Sequence, residues 1–301
     1  MGSRSRGQAA VNAPTREFAI TVPLVRHLLE EQLPQFASEE LTIAAEGWDN
    51  VMIRLGPAHV ARLPRRAVAV PLIEHEQRWL PALADVLPVP VPAPVAVGRP
   101  SSAFPYPWHV SPWLDGVRSS VARGGVTRGV DLARALAALH RPAPADAPHN
   151  PVRAVPLATR SDVVLERLER GSLSHLARIW EAGVAVAAWT AQPQWVHGDP
   201  HPGNALVDPE SDHLTALLDF GDLSAGDPAC DLAAGWLHCD STGLTAFQQT
   251  YDSLSLTPDD GRWERAAAWA LSMASSVLVE APDDQDNRGW AQAALEALES
   301  R

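Results

Sequence analysis

The sequence predicts an α+β protein in two parts: a small, mainly antiparallel β-sheet region with a helix, then a larger, mainly α-helical region. Three observations predict it. Short strand-like patterns bounded by turn residues crowd residues 41–63 and return at 109–114. Beyond Gly116 the apolar spacing turns helical and stays so to the end, apart from short apolar runs at 205–207 and 214–218. Finally, 301 residues exceed the usual size of one hydrophobic core, which favours two lobes around one cleft. Residues 1–17 read as a disordered tail, 18–114 as the first lobe with its hinge, and 115–301 as the helical lobe.

The elements follow in order. Residues 21–35 read as a helix, with Val22, Val25, Leu28, Leu29 and Leu33 near helical spacing and Pro23 suited to a first turn. Strands are expected at 41–45, 51–55 and 59–63, with the turn Gly47 to Asn50 (GWDN) between the first two and Gly56-Pro57 between the next. Residues 68–83 read as a helix carrying Leu72, His75, Trp79 and Leu83 on one face. The proline-dense run 86–95 is extended, because proline locks φ and lacks an N–H. A strand at 109–114 closes the lobe. A helix capped by Thr127 runs to His140, 141–151 is a loop on a possible substrate rim, and 162–170 and 175–190 are helices. Helices near 230–239, 243–251, 261–279 and 288–299 complete the chain, with 280–287 as an acidic loop.

Composition excludes several classes. No apolar run reaches the roughly 18 residues of a membrane span, and the N-terminus has no apolar signal core, so a cytoplasmic protein is expected. Cys230 and Cys239 are the only cysteines; they lack a metal-site pattern and read as small buried residues. There is no lysine. The net charge of −12 is uneven: residues 1–150 carry 15 Arg against 13 acids, and residues 151–301 carry 9 against 23. A nucleic-acid partner would need a basic footprint and is not expected. An acidic lobe suits steering of a small cationic molecule and equally suits a plain solvated surface. Nothing in the sequence sets an oligomeric state.

Polar groups that no packed core would choose concentrate between His197 and Asp231. Asp199 sits in a Gly- and Pro-rich turn after Trp195-Val196, and Asn204 leads into the run 205–207. The run 214–218 delivers Asp219 at its end, where Phe220-Gly221 turns the chain away. Two strand ends thereby offer Asp, Asn and Asp to one place, the hard oxygen donors that magnesium prefers. Turn chemistry alone explains this composition but not its ordered spacing.

HGDPHPGN at 197–204, LLDFGD at 217–222 and GDPACDLA at 226–233 resemble the aminoglycoside phosphotransferase family, antibiotic kinases of bilobal, protein-kinase-like fold. The resemblance implies ATP or GTP as phosphate donor, with Mg2+. It assigns Asp199 to orient the attacking hydroxyl and accept its proton, and Asn204 and Asp219 to hold magnesium. The first lobe would bind the nucleotide. With no lysine on the third strand, Arg62 is the candidate phosphate cation, with Arg54, Arg65 and Arg66 as competitors; Arg65 and Arg66 are expected to face solvent. Glu76 is the choice for its partner, with Glu74 the alternative. The hinge backbone from about Ser111 to Leu114, Trp113 included, would meet the base, and Asn50 belongs to the turn over the phosphates. His197, His201, Asp227 and Asp231 read as structural.

Only four residues separate Gly221 from Gly226, too few for a regulated activation segment, which points to a small-molecule kinase. The expected substrate is a small hydroxylated, cationic molecule of the aminoglycoside type, with Trp236, Asp240, Glu280 and Asp283 as candidate contacts. A macrolide phosphotransferase or a metabolic kinase for choline, homoserine or a sugar would use the same motif. A nucleotide-binding pseudokinase acting through a partner is the alternative of another class.

Overall fold

The computed structural model describes residues 17–47 and 49–301; the tail through residue 16 and Trp48 of the GWDN turn lie outside them. Glu17, read above with the tail, is fastened down: Tyr106 Oη donates to its carboxylate at 2.5 Å, and its N–H donates to Arg65 O at 3.1 Å. The chain divides into two compact units. One holds the residues through Asp85 together with Pro92–Leu114, the other Val86–Val91 and Asp115–Arg301.

The first unit is a five-stranded antiparallel sheet in the order β1-β2-β3-β5-β4, flanked by two helices. Its strands are β1 (Leu41–Glu46), β2 (Asn50–Leu55), β3 (His59–Pro64), β4 (Ala96–Gly98) and β5 (Trp108–Pro112); its helices are α1 (Val22–Gln32) and α2 (Val70–Ala84). Thr21 caps α1, its Oγ1 accepting Leu24 N–H at 3.3 Å, and Pro23 sits in the first turn. Val25, Leu28 and Leu29 bury against Ile53, Leu55, Leu63, Phe104 and Trp108, all sealed from solvent. The two-residue period of β3 sends Ala61 and Leu63 into that core and leaves Val60 and Arg62 on the other face.

That other face meets α2, whose buried residues are Ile73, Glu76, Leu80 and Leu83. The expected stripe through His75 and Trp79 is thus rotated by one position. Trp79 carries the Arg78 guanidinium 4.3 Å over its ring, a way for a large aromatic to stay off the core. Arg65, expected in solvent, is buried because its Nη1 donates to Gly47 O at 2.6 Å.

The second unit is mainly helical, with two small antiparallel sheets. Its strands are β6 (Val117–Arg118), β7 (Gln194–Val196), β8 (Ala205–Val207), β9 (Leu214–Leu217) and β10 (Ser224–Gly226), paired as β6-β8-β9 and β10-β7. Its helices are α3 (Val126–Leu139), α4 (Ser161–Arg170), α5 (Ala177–Ala185), α6 (Ala229–Leu232), α7 (Ala234–His238), α8 (Ser241–Leu254), α9 (Arg262–Glu280) and α10 (Gln285–Glu299). The alanine-rich α9 packs against α4, α5, α6 and α10 and forms the centre of this unit. Leu132, Leu136 and Leu139 of α3 are buried on one face as their spacing requires. Thr127 does not cap α3. The N-cap is Gly125, whose N–H goes to Asp212 Oδ2 at 3.0 Å. The acidic loop is shorter than expected because Asp284 caps α10, accepting Asn287 N–H at 3.2 Å. Among the described residues no helix is long and apolar enough to cross a membrane, and both cysteines are free and buried.

Candidate active site

Asp199, Asn204 and Asp219 converge because three strand ends deliver them. β7 ends at Val196, two residues before the Gly198 turn, where φ is +86°. A side chain there would place its Cβ 2.6 Å from Asp222 O, so only glycine fits. β8 begins just after Asn204 and pairs with β9, which ends just before Leu218-Asp219. Leu218 N–H donates to Asn204 O at 2.8 Å, which sets Asn204 and Asp219 at the same sheet end. Asn204 Nδ2 donates to Asp199 O at 3.1 Å and joins the two turns. Asp219 has φ 56°, a left-handed conformation that non-glycine residues adopt rarely and that tends to collect at functional sites.

The turn is braced from below. Asp231, fully buried, accepts His197 N–H at 2.6 Å and Gly198 N–H at 2.9 Å, and its Oδ2 lies 3.1 Å from His140 Nε2. His197 Nε2 meets Leu218 O at 2.9 Å, and Asp199 N–H reaches its Nδ1 at 3.3 Å. These contacts assign the proton to Nε2 and a structural task to the ring. Asp227 accepts Ala229 N–H at 2.9 Å and pairs with Arg265 at 2.7 Å. The Asp199 carboxylate itself is about one quarter exposed. Its Oδ1 takes a hydrogen bond from Arg153 Nη2 at 3.2 Å, and its Oδ2 lies 3.6 Å from His201 Nε2. The His201 ring stacks on Trp290 at 5.5 Å, and Trp290 Nε1 donates to Asn287 at 2.7 Å.

His238 holds the next residue of the loop: its Nε2 meets Pro200 O at 3.0 Å and its Nδ1 meets Ser119 Oγ at 2.8 Å. Burial pushes its pKa down to about 3, although the bond to Pro200 works the other way. His109 in the first unit is also pushed down to about 3, by burial and by Arg62. The unfolded chain binds protons at both positions near the ordinary histidine pKa, and the folded chain does so only near 3. Stability from these sites is therefore complete above roughly pH 6.5 and is lost as pH falls towards 3, at up to ~2.7 kcal/mol per pH unit for two protons. Thermal melts from pH 7.5 to 4.5 should show that His238→Gln has a flatter acid slope than wild type; identical slopes would refute the assignment.

In the first unit Arg62 and Glu76 are both buried, with Nε and Oε2 3.3 Å apart. Glu76 Oε2 also lies 3.7 Å from His109 Nε2, on the β5 residue that faces Arg62 in the sheet register. Arg54 and Arg66 are engaged elsewhere: Arg54 lies 3.8 Å over the Trp113 ring, and Arg66 donates to Asp49 at 2.5 Å. Asn50 is buried at the start of β2 with no hydrogen bond to Oδ1 among the described residues, and Ser111 Oγ is in the same position on β5. Trp113 is half-buried, and its N–H is already taken by Ala58 O at 2.8 Å.

Three of the four expected substrate contacts have structural work. Trp236 is buried edge-on against Trp263, with centroids 6.2 Å apart. Asp240 caps α8, accepting Gly243 N–H at 2.8 Å. Glu280 pairs with Arg167 at 2.8 Å. Asp283, one residue before the α10 cap, is exposed, as are Asp240 and Glu280. The residue that sequence reasoning missed is Arg153, which lies in an irregular loop with no motif around it.

No three His, Cys, Asp or Glu side chains converge as a ready-made metal cage among the described residues. An amide oxygen from Asn204 and a carboxylate from Asp219 instead suit a magnesium ion that completes its shell with waters and phosphates, as this ion usually does.

A model of the phosphotransferase enzyme family (APH) matches residues 40–269. Among solved structures, the chain is similar to an aminoglycoside phosphotransferase, APH(2")-IIIa, in complex with GDP and kanamycin. The identity is 19%, the match covers 92% of this chain and 97% of that one, and the TM-score is 0.65. It is also similar to a macrolide 2'-phosphotransferase type I, at 20% identity over 93% and 98% of the two chains with a TM-score of 0.59. A third is the macrolide 2'-phosphotransferase MphH of Brachybacterium faecium, at 22% identity over 85% and 91% with a TM-score of 0.53.

Proposed function

The chain belongs to the phosphotransferase enzyme family, and from that premise we propose that it is a nucleotide- and magnesium-dependent O-phosphotransferase acting on an aminoglycoside-type antibiotic. The observation that carries the chemistry is the meeting of Asp199 with Asn204 and Asp219 at one sheet end, tied by Asn204 Nδ2 to Asp199 O. Asp199 orients the acceptor hydroxyl and takes its proton late, as the new bond to phosphorus forms, so an ordinary carboxylate suffices. Asn204 and Asp219 hold magnesium, which when bound neutralises charge on the transferring phosphates. Arg62, fixed by Glu76, grips the nucleotide phosphates in place of the lysine this chain lacks. Asn50 and the backbone around Ser111 and Trp113 lie along the nucleotide.

Supporting an aminoglycoside are the acidity of residues 151–301 and similar structures solved with kanamycin, gentamicin and streptomycin. A macrolide is the second reading, because macrolide 2'-phosphotransferases stand among the similar structures at equal or higher identity. A nucleoside-diphosphate release assay decides between them, run with ATP and with GTP over aminoglycosides, macrolides, choline, homoserine and sugars. Turnover with an aminoglycoside and none with the others is the expected result. Turnover with a macrolide or a metabolite alone would overturn the aminoglycoside assignment and leave the phosphotransfer intact.

A further inference from the structure

A cation from outside the motif completes the catalytic turn. Arg153 stands 46 residues before Asp199 in the chain and donates from Nη2 to Asp199 Oδ1 at 3.2 Å. The loop that carries it is tied down at each end. Pro148 O accepts Ala225 N–H at 2.9 Å, and Ala154 O accepts Asp227 N–H at 3.0 Å. Between them, Asn150 Nδ2 donates to Asp222 Oδ1 at 2.8 Å, while Asn150 Oδ1 accepts the N–H groups of Val152 and Arg153. Ala154 takes a left-handed φ of 53°, and the facing Gly226 has no room for a side chain, since a Cβ would lie 2.4 Å from Ala154 O. A strained alanine pressed on a glycine is a costly way to close an ordinary loop. It makes sense if the direction of Arg153 is what must be fixed.

The electrostatics point the same way. Burial raises the Asp222 pKa, and Asp199 and, less strongly, Asp219 raise it further, against Arg153 and Asn150, which lower it. Burial also opposes charge on Arg153, but Asp199 and Asp222 overcome it and keep the guanidinium protonated. Its Nε is buried without a hydrogen-bond partner among the described residues. The group is thus held by its charge relations to Asp199 and Asp222 more than by a cage of acceptors.

We propose that Arg153 is a positioning residue for Asp199. By holding Oδ1 it leaves Oδ2 to face the acceptor hydroxyl, and it brings a positive charge to the Asp199 carboxylate. In a chain without lysine and with Gly198 inside its His-Gly-Asp turn, no residue of the motif supplies that charge. The inference rests on the reading of Asp199 as the base.

Steady-state kinetics of Arg153→Gln, Arg153→Lys and Asp199→Ala, with the acceptor found in the release assay, test it alongside thermal melts. Loss of a charge-assisted bond to a reacting group predicts that Arg153→Gln lowers kcat about 10- to 100-fold while nucleotide KM stays within about threefold. Arg153→Lys should recover at least half of that loss on a logarithmic scale, and millimolar guanidinium should partly rescue Arg153→Ala. A kcat within about threefold of wild type for Arg153→Gln, or Arg153→Lys as slow as Arg153→Gln at an equal melting temperature, would overturn the proposal. If Asp199→Ala also turns over like wild type, it is the base reading that has failed instead.

Discussion

Alanine at position 199 is expected to lower kcat about 10²- to 10⁴-fold and to leave nucleotide KM within about threefold of wild type. The range follows from what the carboxylate is asked to do. Phosphoryl transfer through a loose transition state draws most of its acceleration from positioning and from neutralised phosphate charge, which Asn204, Asp219 and Arg62 would still supply. What is lost is the acceptor that orients the hydroxyl and takes its proton. The turn itself should survive, because its backbone is held by Asp231 at His197 and Gly198, by Asn204 at the Asp199 carbonyl and by His238 at Pro200. Asp199→Asn should be almost as slow, since the amide keeps the shape but cannot accept the proton. Turnover of either variant within about threefold of wild type would remove Asp199 from the base role. A melting temperature more than a few degrees below wild type for Asp199→Asn would show that the carboxylate also carries structure.

The turn that carries Asp199 was legible in the sequence because chemistry and turn geometry constrain the same residues there. A His-Gly-Asp turn, an Asn five residues on and an Asp closing a strand leave few ways to fold. The sheet of the first unit was legible for a different reason: β1, β2 and β3 are long enough to show their period and are separated by glycine and proline turns. β4, β6, β7 and β10 span only two or three residues and carry no period, so pairing with neighbours far along the chain defines them.

Side chains with two ways of being satisfied were harder to place. Trp79 and His75 suited an apolar stripe, but the tryptophan lies under Arg78 and the buried charge on α2 is Glu76, facing Arg62. Arg65 looked solvated, yet a backbone carbonyl brings it inside. Asp240 could have been read correctly: an Asp before Ser-Thr-Gly is a helix N-cap signature, which its bond to Gly243 N–H fulfils. Arg153 offered no such signal. Its loop is irregular, and only the fold brings it to Asp199.

Removal of the Asp231 carboxylate should be the most damaging single change to stability, costing roughly 3–6 kcal/mol. Three buried donors depend on it: the N–H groups of His197 and Gly198 and the His140 ring, which is oriented from behind by Tyr251 Oη at 2.7 Å from Nδ1. In Asp231→Ala each loses its partner where water does not reach, and an unmade bond to a buried donor costs ~1–3 kcal/mol. That loss is comparable with the whole stability of many folded proteins, so Asp231→Ala should melt at least about 10 °C lower than wild type or fail to accumulate as soluble protein. Asp231→Asn separates packing from hydrogen bonding. Its amide oxygen still accepts one backbone N–H while its NH2 opposes the other, so it should melt between wild type and the alanine variant. Because the two N–H groups flank the start of the catalytic turn, Asp231→Asn should also lose activity at temperatures well below its own melting point. An alanine variant that melts within about 2 °C of wild type would mean that β7, β8, Asn204 and His238 hold the turn without Asp231.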